Sequence, residues 1–76
     1  MNKQKRTELQ SIIEELRASQ NRIETVMDDE QECFDNLTEG LQQTERGQRM
    51  EETVDTLSSA IDSIEEAINA LEEASA

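Results

Sequence analysis

From Met50 to Leu71 an apolar side chain falls at alternating steps of four and three residues without a break: Met50, Val54, Leu57, Ile61, Ile64, Ile68 and Leu71. No other feature of the chain constrains its fold as strongly. A helix turns once in about 3.6 residues, so this rhythm lines all seven up along one stripe, whereas a strand would need strict alternation. The first half repeats the rhythm with gaps. Leu9, Ile13, Leu16, Ile23 and Met27 hold the line, Ile12 and Val26 widen it, and Gln20 and Glu30 interrupt it. In the second half a parallel heptad line, Thr53, Ala60, Ala67 and Ala74, carries side chains small enough to let another helix come close.

The ends of the two periodic stretches carry start signals. Thr7-Glu8-Leu9-Gln10 fits a capping box, with Thr7 as N-cap and Gln10 reaching back to it. Thr44 followed by Glu45 is the matching N-cap of the second stretch, and Asn36-Leu37-Thr38-Glu39 can cap one short turn between the two. The expected organisation is a basic, flexible N-terminus over residues 1–6 and a single helical-hairpin domain over 7–76. Within that domain we expect a helix over 7–34, a connection over 35–44 and a helix over 45–74. Closely matched helix lengths and a short connection predict an all-α fold, an antiparallel two-helix hairpin of coiled-coil type. Phe34, Leu37 and Leu41 are expected to plug its loop end, and Cys33 reads as a small apolar core residue.

A two-helix seam needs two apolar positions per heptad, and this chain supplies nearer three. A chain of 76 residues also has little interior to spare. Pairing of two hairpins into a four-helix bundle would cover the excess, so a homodimer is expected. A different protein laid on the stripe is the competing way to cover it.

Composition narrows the chemistry. There are 19 acidic and 7 basic residues and no histidine, for a formal charge of −12. Such a chain lacks the basic face that direct nucleic-acid binding requires. Its one cysteine, Cys33, has no base beside it in the sequence and cannot form an internal disulfide. Asp28, Asp29 and Glu30 resemble a metal cluster, but neighbours on a helix point apart. No glycine-rich phosphate loop or calcium loop is present. The chain therefore reads as non-enzymatic, with no cofactor and no metal. The basic start is not followed by an apolar stretch, and no run approaches the ~20 residues of a membrane span. A cytoplasmic protein is expected, one that does not engage the membrane.

Two features could carry function. The first is the acidic face of the second helix: Glu51, Glu52, Asp55, Asp62, Glu65, Glu66, Glu72 and Glu73, with no basic residue after Arg49. These are expected to form one long stripe, either a plain solvated face or a mimic of nucleic-acid charge. The second is the connection, where Phe34, Asp35, Asn36, Leu41, Gln42 and Arg46 could bind a partner. Capping is the plainer account of the same residues: Asp35 and Asn36 end the first helix, Thr44 begins the second, and Arg46 pairs locally.

The stretch Glu32-Cys33-Phe34-Asp35-Asn36-Leu37, then Glu39, Leu41-Gln42 and Thr44-Glu45-Arg46, resembles the core of a family of short acidic helical-hairpin proteins. That family is found in bacterial genomes, largely in prophages and other mobile elements, and is functionally uncharacterised. The resemblance spans residues 7–74 and includes a closing Glu/Ala/Ile/Leu helix like Ala60 to Ala74. Where many relatives have proline after the Leu37 position, this chain has Thr38, which puts the sharpness of the turn in question. The resemblance implies a bacterial host cell and a protein that binds and disables a host protein, a defence protein among the candidates. The alternatives are an acidic DNA mimic and a structural or assembly part of a mobile element.

Overall fold

The computed structural model covers residues 1–76 and contains three helices and no strand. Helix α1 runs Lys3–Asp35, a single turn α2 runs Glu39–Gln42, and α3 runs Glu45–Ser75. The two long helices lie antiparallel, as their cross-links show. Gln10 meets Ser75 at the open end, Arg17 meets Glu72, and Gln20 meets Glu65. The result is a rod of 58 × 15 × 12 Å.

The start of α1 differs from expectation. Residues 1–6 do not precede the helix but supply its N-cap and first turn. The Asn2 side chain accepts from the Lys5 backbone N–H at 2.8 Å, so Asn2 is the N-cap. Thr7 is interior, and its hydroxyl donates to the Lys3 carbonyl at 3.0 Å. The physical reason is competition between two residues of capping type. Asn2 is followed by Lys, Gln, Lys and Arg, all good helix formers, so the helix starts at the earlier cap.

The connection turns without any residue at positive φ. Thr38 caps α2 at φ −63° and ψ 156°, and its hydroxyl accepts from Leu41 N–H. That φ is the one a proline ring would impose, so threonine keeps the bend without the ring. Thr44 then caps α3, as its sequence context predicts: its hydroxyl accepts from Gly47 N–H at 3.3 Å and donates to the Leu41 carbonyl.

Burial follows the heptad seam but is thin. Only Ile13 and Ile68 are fully buried among the apolar residues, at 4% and 0% exposure. The other ten expected core positions, from Leu9 to Leu71, are half-buried. The third buried residue is Gly47, at the turn. A Cβ there would lie 2.6 Å from the Gln42 carbonyl carbon and 2.8 Å from its Cα, so only glycine allows α2 to rest on the start of α3.

Candidate protein-interaction surfaces

At the tip, most polar side chains are already engaged in holding the turn. Gln42 donates from Nε2 to the carbonyls of Phe34 (3.1 Å) and Leu37 (3.3 Å), so it closes the end of α1 from eight and five residues away. Asp35 accepts from Gln31 at 2.9 Å, and Asn36 is the C-cap of α1. Phe34 and Leu37 are half-buried. Two of the expected roles fail. Leu41 does not plug the loop end but is 51% exposed. Arg46 forms no local ion pair, since the chain's two ion pairs are Arg17–Glu72 and Arg49–Glu45. Leu41 is thus left uncovered and Arg46 unpaired.

Along the rod, the two long helices meet in a seam with a groove on each side. One groove is polar. Arg17 and Glu72 pair across it at 3.0 Å. Gln20, which breaks the apolar line of α1, is half-buried there and donates to the Ile61 carbonyl (3.2 Å) and to Glu65 (2.9 Å). The eight carboxylates of α3 are all exposed, and helical spacing puts them on adjacent heptad lines of one flank. Glu65 and Glu72 are drawn to the seam by Gln20 and Arg17. Glu66 and Glu73, one position further on, turn outward with Glu52, Asp55 and Asp62, while Glu51 shares the heptad line of Glu65 and Glu72.

The opposite groove has an apolar or small-residue floor, with Arg22, Glu30, Arg46 and Arg49 at its margins. Val26 stands nine residues from Arg17, two and a half turns, and so lies on the other side of α1. It belongs to a heptad line of Ile12, Ser19, Val26 and Cys33. On α3 the matching line is Thr53, Ala60, Ala67 and Ala74; Ala60 and Ala74 stand nine residues from Glu51 and Glu65 in the same way. Between these lines an open hollow is bounded by Ser19, Arg22, Ile23, Thr25 and Val26 of α1 with Leu57 of α3. A second hollow nearer the turn joins Glu30 and Cys33 to Arg46, Arg49, Met50 and Thr53. Val26 is 58% exposed, and Cys33 is exposed rather than part of the core. Both sit on the outer edge of the stripe, where periodicity admits them but the single partner helix does not reach.

No three His, Cys, Asp or Glu side chains converge as they would to hold a metal ion. No helix is long and apolar enough to cross a membrane. Two residues that shape the surfaces carry no obvious sequence signal of their role. Gly47 is one, although a glycine in the first turn of a helix is costly enough to need a reason. Gln20 is the other, legible only as a gap in the apolar line. Comparison with family models, with curated proteins and with solved structures finds no match for this chain.

Proposed function

We propose that this chain is a non-enzymatic protein-binding modulator or inhibitor whose working form is a pair of hairpins joined as a four-helix bundle. The observation that carries the reading is the uncovered apolar surface. Of twelve large side chains on the seam only Ile13 and Ile68 are shielded from water, and Val26 stands largely exposed beside it. A contiguous apolar flank on so small a protein is a contact surface. The tip supplies the contact to a foreign partner: Leu41 gives an apolar anchor and Arg46 a cation with no internal mate. The resemblance of the tip to short acidic proteins of prophages and mobile elements supports a target in the cytoplasm of a bacterial host, with a defence protein as one candidate.

A second reading rests on the exposure of all eight α3 carboxylates. A protein with that flank can occupy the basic groove of a nucleic-acid-binding partner as an acidic mimic. Capture from bacterial lysate, washed at low and then high salt, separates the two. The modulator reading expects a partner that survives high salt and is lost with Leu41→Ala plus Arg46→Ala. The mimic reading expects a basic partner that leaves as salt rises and is lost with Glu66→Lys plus Glu73→Lys. Those two carboxylates are suitable probes because neither contacts α1, unlike Glu65 and Glu72.

A further inference from the structure

We infer that the groove flanked by Val26 and Ala67 is the interface with a second copy of this chain, and that the two rods lie antiparallel with their tips at opposite ends. The inference rests on the paired-hairpin reading above and names its face and its orientation.

Surface area is the first argument. The hairpin exposes 5720 Å². A compact monomer of 8.7 kDa exposes roughly 4,700 Å² by the usual scaling with mass. The excess is about 1,000 Å² per chain, or about 2,000 Å² for two, which is the size of a stable homodimer interface.

Charge is the second argument. A chain of net charge −12 repels its own copy, so a self-interface must lie where the acids are not. The groove bridged by Arg17 and Glu72 is flanked by the outward carboxylates of α3. The other groove is lined by two heptad lines without a charged side chain between Ile12 and Cys33 or between Thr53 and Ala74. This face carries fewer carboxylates than the groove bridged by Arg17 and Glu72, so two copies meet less acidic repulsion here.

Orientation follows from where the hollow and the arginines sit. Ile23 is 20 residues from the start of α1, about 30 Å along its axis, and the rod is 58 Å long. The hollow therefore marks the middle of the rod. A two-fold axis through it and across the rod sets Val26 of one chain against the partner's Ser19, and Ile12 against the partner's Cys33. Each larger side chain thereby meets a smaller one. The same axis sends the Arg46 and Arg49 pairs to opposite ends, whereas a parallel arrangement gathers all four at one tip.

The test is light-scattering mass across a range of concentrations, followed by disulfide trapping. The parent protein is expected to be a dimer. Val26→Glu replaces an already exposed side chain, so helicity is expected to persist while dimerisation weakens at least about tenfold, because the new carboxylate is buried at the interface. Ala67→Glu, also at an exposed position, is expected to do the same, and Glu66→Ala to leave the dimer intact. A parent that stays monomeric overturns the paired-hairpin reading itself. A dimer indifferent to both groove variants overturns the choice of face and leaves pairing standing. For orientation, Ile12→Cys with the native Cys33 is expected to cross-link two chains under mild oxidation. Within one chain these positions are about 30 Å apart on the same helix and cannot bridge. The parent, with Cys33 alone, is expected not to cross-link. Cross-linking of the parent, or none in Ile12→Cys, overturns the antiparallel arrangement.

Discussion

The two ends of the rod are held together by different means. At the open end, far from the turn, the helices are joined by side-chain packing: Ile13 and Ile68, the only fully buried large residues, lie there with the Arg17–Glu72 pair beside them. At the turn, no large side chain is fully buried. The joint is made of polar and backbone contacts instead, with Gln42 on the end of α1, Thr44 capping α3 and Gly47 pressed against Gln42. Connectivity explains the contrast. Near the turn a short connection already keeps the helices adjacent, and closing so short a loop costs little entropy. At the open end nothing but contact opposes splaying, so the best packing is placed where the chain itself gives no help.

The largest effect should come from breaking the open end. Ile68→Ala removes a side chain with no exposed surface and is expected to cost about 2–5 kcal/mol, as buried large-to-small changes do. Denaturant unfolding followed by circular dichroism at fixed protein concentration reads this, the concentration being held because self-association adds to apparent stability. The comparison fails if an alanine at half-buried Met50, on the turn side of the same seam, costs as much. At the turn, Gly47→Ala tests whether close backbone approach is the joint. The added methyl meets the Gln42 backbone rather than a flexible side chain. An expected loss of about 1–3 kcal/mol follows from overpacking, against a gain of up to about 1 kcal/mol that alanine would bring in an ordinary helical position. The same substitution at Gly40, where a Cβ meets nothing, is the control. A net gain at Gly47 would show that α2 moves aside freely.

The same contrast sets how far the fold can be read from the sequence. Everything that depends on period is legible. The α3 seam from Met50 to Leu71 is half-buried or buried at every position, and the all-helical class follows from it. Local capping is legible when one candidate stands alone, as Thr44 does, and misleads when two compete, as Asn2 and Thr7 do. What escapes is whatever depends on where the partner helix sits around the stripe. Period places Val26 and Cys33 on the apolar side of α1 without saying that one neighbouring helix leaves both uncovered. Period likewise counts Gln20 as a gap, whereas its amide reaches across to α3. At the candidate site, Leu41 and Arg46 are identifiable by residue type. That Gln42 is not free with them follows only from the folded turn, which brings its amide to the carbonyls of Phe34 and Leu37.

The smallest effect sharpens the comparison from its polar side. Arg17 and Glu72 are in contact at 3.0 Å, yet each side chain is 49% exposed, so water and salt screen much of their attraction. Arg17→Ala is therefore expected to cost no more than about 1 kcal/mol at low ionic strength, and less as salt is added. Because the pair lies at the open end, its loss should speed fraying there and leave the turn untouched, which amide hydrogen exchange resolves residue by residue. Faster exchange around Arg17 and Ile68 with unchanged exchange around Gln42 to Gly47 would confirm that the two ends are held independently. Equal acceleration at both would mean that the rod opens as one unit, and that the polar joint at the turn depends on the packing of the far end.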